Sequence, residues 1–334
     1  MLRSIFFAAV GLAVFLAAAF AAAASYYWLG WPNAVRTGLA LLWVPVVLAL
    51  WFVPGRTRRL RRVAGLASLG IFFAAYFTKT PVPQTFVPLH QEVADFNFNG
   101  SQVMITNFRD AIHPVGAPAQ PRWTTARFNL NDVTGARFIL QPFGKSLAMV
   151  HVMTSFEFEN GDNLAVSFEA RRTSWDKFDP LAGFFRHNQL YVVLGTERDL
   201  LWKRLAHVPP NELFILDITQ PDEEIRTYLQ RLLKFSASLH DKPQFYSTIT
   251  ESCFTTLLKL SPHVQEVVPW YDVRRWVPGA SIGLLQDLGV VDNGLSAEGL
   301  AKRQKLGSDV QPPWEFATSN LWSRHLRAEI GKTD

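Results

Sequence analysis

Three uninterrupted apolar stretches lie within the first 78 residues, and nothing else in the chain restricts its fold as much. Each must close its backbone hydrogen bonds on itself as a helix if it is to sit in lipid. Residues 5–24, IFFAAVGLAVFLAAAFAAAA, are twenty uncharged residues, enough to cross the hydrocarbon core. The Ala-rich ending before Ser25 also fits a cleavable leader. The run exceeds the usual apolar core of a signal peptide and further apolar segments follow, so the uncleaved span is the preferred reading. Residues 37–53 form a second span with a kink expected at Pro45, and residues 63–77 a shorter third. RTRRLRR, residues 56–62, places five arginines between the second and third spans, which assigns that loop to the cytoplasm. The N-terminus is then cytoplasmic, everything after Thr78 lies outside, and Tyr26, Tyr27, Trp28 and Trp31 fit an aromatic belt at the outer interface.

The formal charge of +5 invites a nucleic-acid reading that its distribution removes. Residues 1–78 hold seven basic residues and no acidic one, leaving 26 Lys+Arg against 28 Asp+Glu beyond them. The basicity belongs to the membrane part, and no nucleic-acid partner is expected. Residues 79–94 read as an extended, proline-containing spacer, 95–268 as an exported domain, and 269–334 as a helical and loop extension, weakly ordered from 303 onward. One cysteine and no disulfide framework in an exported domain point to a bacterial envelope. There is no phosphate-binding loop, dinucleotide fingerprint or metal-spaced Cys/His cluster, so neither cofactor nor metal is expected.

That cysteine, Cys253, lies in FYSTITESCFTTLLKL, residues 245–260. Thr248, Thr250 and Ser252 are N-cap candidates, and Phe254, Leu257, Leu258 and Leu260 follow at helical spacing, so the sulfur is expected in the first turn of a helix. There the free amides and the helix dipole favour thiolate. A lone cysteine is equally at home as a small buried apolar side chain, and the residue alone does not decide between the two. Upstream, residues 148–158 and 164–171 alternate as a hairpin about the Asn-Gly-Asp turn. If their apolar faces coincide, His151 shares a face with Ser167, Glu169 and Arg171, with Glu169 or Arg171 across from it or diagonal to it. A histidine beside a carboxylate is what a base with an orienting partner requires. Residues 220–239 read as an amphipathic helix leading back to the cysteine, and residues 95–108 as another hairpin. The remaining histidines are scattered and read as surface or structural.

The succession HVMTSFEFENGDNLAVSFEARR, YLQRLLKF and FYSTITESCFTTLL resembles the Lnb-type periplasmic domain of bacterial lipoprotein N-acyltransferases, over roughly residues 95–260. That resemblance implies an α+β fold: three transmembrane helices, then a permuted papain-like domain with an antiparallel sheet and a cysteine-bearing helix. It implies Cys253 as nucleophile and His151 as base, with Glu169 as third catalytic residue. Ser167, Arg171, Ser252 and Thr255 become supporting residues. The family often has Asn-Cys-Thr-Thr where this chain reads Ser252-Cys253-Phe254-Thr255-Thr256. The implied reaction moves an acyl chain from a membrane lipid or lipoprotein ester, through a Cys253 thioester, to an amine at the outer face of the bacterial inner membrane. Two rivals stand beside it, a membrane-anchored cysteine peptidase or amidase of the envelope and a non-enzymatic scaffold.

Overall fold

Each apolar stretch forms one long helix in the computed structural model, which describes residues 2–175, 179–261 and 264–332. These are α1 (Leu2–Trp28), α2 (Asn33–Phe52, with Pro45 inside it) and α3 (Arg58–Thr78). All three are long and apolar enough to cross a membrane. Small residues let them approach: Ala18, Ala21 and Ala24 are fully buried against Val47, Trp51, Leu69 and Phe72. The arginines expected in the second loop fall largely inside the first turns of α3. The reason is local: the last carbonyls of α2 have no helical partner, and Arg61 Nη2 donates to Val53 O (2.7 Å) and Arg62 Nε to Trp51 O (3.2 Å).

Of the spacer, residues 79–87 run extended and clamped, and Pro88–His90 form a 3-10 turn. Phe86 bridges Thr173, Val87 N donates to Arg172 O, and Ser174 N to Thr85 O. Beyond it come β1 (Asp95–Asn99), β2 (Gln102–Arg109), β3 (Trp123–Asn129), β4 (Val133–Pro142), β5 (Val150–Phe158), β6 (Asn163–Arg171) and β7 (Gln189–Gly195). Then follow α4 (Glu197–His207), β8 (Leu213–Asp217), α5 (Asp222–Asp241), α6 (Cys253–Leu260), α7 (Val264–Val267), α8 (Ser281–Asp287), α9 (Ala297–Arg303), β9 (Lys305–Leu306) and α10 (Ser319–Glu329). The strands form a single sheet in the order β1-β2-β7-β6-β5-β4-β8-β9, with β3 on the other side of β2. The sheet is mixed rather than purely antiparallel, because β2 and β7 meet in parallel at Arg109 and Gly195.

Strand alternation divides the core in two. Val150, Val152, Phe156, Leu164, Val166 and Phe168 pack with α5 and α6 on one face, where Cys253 also lies. Met153, Ala165, Tyr191 and Val193 pack beneath α4 and α10 on the other. The second face, which its mixed polarity made look like a site surface, is thus a second core. The tail is not weakly ordered: β9 extends the sheet beside β8, Trp322 and Leu326 are fully buried, and Arg327 clamps the buried Glu197 carboxylate (2.6 Å).

Candidate active site

The hairpin β5–β6 makes the site because its ladder stops early. The two strands pair from Glu157/Asn163 to Thr154/Val166, and toward Val150 and Arg171 they are no longer paired. Phe158 N–H donates to Asp162 O across the hairpin, so every second amide on β5 points the same way, and the Val152 amide faces the opening. The start of α6 plugs it. Ser252 is the N-cap, in a reciprocal box with Thr255 in which Ser252 N donates to Thr255 Oγ1 (2.8 Å) and Thr255 N to Ser252 Oγ (3.3 Å). Cys253 is the first helical residue, as its sequence implied. Its sulfur lies beside the amides of Val152, Phe254 and Cys253 itself, all of which favour the ionised form. Burial nevertheless wins and pushes the thiol up to about 11, so the expected resting thiolate is replaced by a protonated thiol.

Across the opening, on the α4 face, stand His151, Ser167 and Glu169, the grouping that the alternation predicts. Ser167 Oγ donates to Glu169 Oε1 (3.0 Å) and lies 2.8 Å from His151 Nε2. A carboxylate only accepts, so the single hydroxyl proton is committed to Glu169, and Nε2–H must donate to Oγ. His151 therefore carries its proton on Nε2 and its lone pair on Nδ1. Burial, then Arg204, push the imidazole down to about 3, which keeps the ring neutral. Glu169 thus orients the histidine through Ser167 rather than directly. Among the described residues no hydrogen bond joins His151 to Cys253, which enters the opening from the other face.

Glu169 is the hub of a cluster that the sequence did not announce. Its Oε1 accepts from Arg204 Nη2 (2.8 Å), and Oε2 lies 3.6 Å from His90 Nε2. Burial alone would raise the carboxyl, but Lys203, His90 and Arg204 hold it well below the usual range. Lys203 is pushed down to about 8 by burial. His90 is buried and packed at a tilt against Tyr191 (4.9 Å between centroids), and burial lowers it to about 4. Arg171, expected beside the site, serves the spacer instead: Nε donates to His90 O (2.9 Å), Nη2 to Gln91 O (2.7 Å), and the guanidinium lies 3.7 Å over the Phe86 ring. Ser252 and Thr255 are likewise spent on the helix cap. Tyr246, which the sequence reading passed over, has its phenol beside the Cys253 amide.

Residues 179–188 connect the site to the membrane helices. Tyr27 Oη donates to Asp179 Oδ2 (2.6 Å), Trp28 Nε1 to Phe185 O (2.6 Å) and Tyr76 Oη to Phe184 O (3.0 Å), while Phe185 stacks on Tyr27. The same segment backs the approach to Cys253: Thr248 Oγ1 donates to Pro180 O (2.8 Å) and Tyr246 N to Asn188 O (2.9 Å). At Gly183 the two chains come so close that a Cβ would overlap Thr248 Oγ1 and sit 3.2 Å from Tyr246 Cδ1. Two cavities flank the site. One, narrow and apolar, of about 50 Å³, is lined by Phe138, Tyr228, Phe254, Leu257 and Leu285. The other, about 270 Å³, lies between the spacer and β7 and is lined by Pro81, Phe86, Phe96, Arg171 and Tyr191. Cys253 lines neither of them.

Residues 119–279 match the family described as the Lnb N-terminal periplasmic domain, a span that takes in β3 to α7 with both His151 and Cys253. No curated protein and no solved structure matches the chain. Behind three helices long and apolar enough to cross a membrane, the chain thus carries an Lnb-type periplasmic domain over residues 119–279.

Proposed function

We propose that the protein is a thiol acyltransferase that takes an acyl chain from a lipid or lipoprotein ester at the outer face of the bacterial inner membrane and passes it to an amine. The N-terminus is cytoplasmic, in keeping with the arginines of the first turns of α3 and of the residues just before it. In the first half-reaction His151 Nδ1 takes the Cys253 proton while the sulfur attacks the ester carbonyl. The carbon–sulfur bond forms, the carbon–oxygen bond breaks, and the departing alkoxide recovers the proton from His151. In the second half-reaction the amine attacks the thioester, its proton passes to Nδ1, and the thiolate leaves and is reprotonated. The amides of Val152, Phe254 and Cys253 are the available donors for the oxyanion. Glu169, through Ser167, keeps Nδ1 free of a proton. The histidine must swing toward the sulfur for this chemistry, which fits a resting enzyme whose thiol is protonated until substrate enters.

The observation that carries this reading is the double duty of residues 179–188, which bind the outer ends of α1 and α3 and also back Tyr246 and Thr248 on the way to Cys253. One loop separates the thiol from the membrane helices, which suits an ester at the headgroup boundary. The test is acyl transfer in proteoliposomes containing a diacylglyceryl lipopeptide. Transfer to the lipopeptide amine should be lost in Cys253→Ser and His151→Ala. Release of free fatty acid with no amide product would move the assignment to a hydrolase, and full transfer by Cys253→Ser would remove the thiol from the reaction.

A further inference from the structure

Strand direction fixes which end of the periplasmic domain faces the bilayer. β6 ends at Arg171, the next residues pair with Thr85–Val87 just after α3, and residues 179–188 then dock on α1 and α3. β5 runs antiparallel to β6, so its first residues and the loop before it lie at the same end. Residues 278–280 seat on that loop. Gly279 approaches so closely that a Cβ would overlap the carbonyl oxygens of Leu147 and Ala148. The segment just before, residues 270–277, is therefore held at the membrane end as well.

Its composition is wrong for water. Trp270 is 78% exposed, Tyr271 70% and Val273 70%, with Trp276 beside them and Met149 of the adjoining loop at 61%. Scattered apolar side chains on a surface need no explanation, but two tryptophans, a tyrosine and a valine within seven residues form a patch. Of the arginines between them, Arg274 pairs with Asp272 (2.8 Å) and Asp287 (2.5 Å), and Arg275 donates to Val268 O (2.7 Å). Amphipathic aromatic rings beside a paired arginine, Arg274, and one whose charge a lipid phosphate can meet, Arg275, are what the headgroup layer of a bilayer accepts. The patch is also joined to the site, since residues 273–276 pack against α6 and residues 278–280 against the start of β5.

We propose that residues 270–277 insert into the interfacial layer of the bilayer, so that the domain touches lipid directly, beyond the contact made through α1 and α3. The inference deepens the reading of Cys253 as a lipid-facing nucleophile, and its purpose rests on that reading. The inserted loop holds the opening between β5 and β6 against the headgroup layer, where an ester would be presented.

The test needs no activity. In a Cys253→Ser background, bimane is attached at Tyr271→Cys, at Trp276→Cys and at Asn160→Cys. Asn160 lies at the opposite tip of the β5–β6 hairpin, about 30 Å along the strands. Each full-length protein is placed in nanodiscs of phosphatidylcholine with or without brominated acyl chains. Fluorescence at positions 271 and 276 should fall by roughly twofold or more in brominated lipid, as for a side chain at the interface, and stay unchanged at 160. Equal, absent quenching at all three positions would overturn the inference, whether or not Cys253 proves to be a nucleophile.

Discussion

Glu169→Gln removes one charge and almost no volume, and its consequences follow from the cluster around the carboxylate. Arg204 is 4% exposed and pairs with Glu169 at 2.8 Å, so the substitution leaves a buried guanidinium without its counter-charge. Breaking such a pair from one side costs about 3–5 kcal/mol. The lower end applies, because Lys203, at about 8, can shed its proton and relieve part of the excess positive charge. A loss of about 3 kcal/mol in a domain of this size lowers the melting temperature by roughly 6–12 °C. The chemical effect is separate. Glutamine can donate to Ser167, which frees the hydroxyl proton to point at His151 Nε2 and moves the imidazole proton to Nδ1, the nitrogen that must act as base. Cys253 acylation should then fall about 10²- to 10⁴-fold. Tryptophan-fluorescence melting of the full chain in nanodiscs and single-turnover acylation measure the two effects. A melting point within about 2 °C of wild type, or an unchanged acylation rate, would refute the role given to Glu169.

Gly183→Val puts a side chain where Tyr246 and Thr248 pass and should cost about 1–3 kcal/mol while lowering acylation further than that loss of stability explains; an acylation rate like wild type's would show that this close approach does not position Cys253. Acid should destabilise the domain well before its carboxylates titrate. His90 and His151 have folded values of about 4 and 3, below the unfolded value, so the unfolded chain binds more protons and stability is lost as pH falls from about 6.5. For His90, which is 2% exposed, the loss at pH 5 is roughly 2 kcal/mol, readable as a urea midpoint that falls less with acid in a His90→Gln variant, where the His151 share remains. Arg327→Ala strands the fully buried Glu197 and should cost about 3 kcal/mol by the same assay, against almost nothing if the tail were only an appendage.

What the sequence made legible was whatever depends on local pattern. The three apolar runs gave three helices, the alternation in β5 and β6 put His151, Ser167 and Glu169 on one face, and Ser252 before an apolar run marked the start of α6. What stayed hidden depends on partners far apart in the chain. α4 reads Glu-Arg-Asp-Leu-Leu-Trp-Lys-Arg, which looks like a solvated helix, yet Asp199 is buried because Arg109 and His113 meet it, and Arg204 because Glu169 does. The usable signal was Thr196, whose side chain caps the helix just ahead of Glu197 and Asp199. The polar tail concealed a core contact for a similar reason, since Trp322 and Leu326 are buried in a cluster shared with α4 and the sheet, far away in the chain. Composition could not reveal the protonation of Cys253 either: the cap and dipole favour thiolate, and only the packing of α6 into the sheet reverses the balance.

The central claim is that Cys253 carries the acyl group. Intact-protein mass spectrometry of the membrane-purified chain, after incubation with a diacylglyceryl lipopeptide whose terminal amine is blocked, tests it most directly. The wild type should show a mass gain of fatty-acyl size that hydroxylamine removes, that is absent from Cys253→Ser and that His151→Ala strongly slows. No such adduct on the wild type, with Cys253→Ser still moving acyl chains to amines, would contradict it.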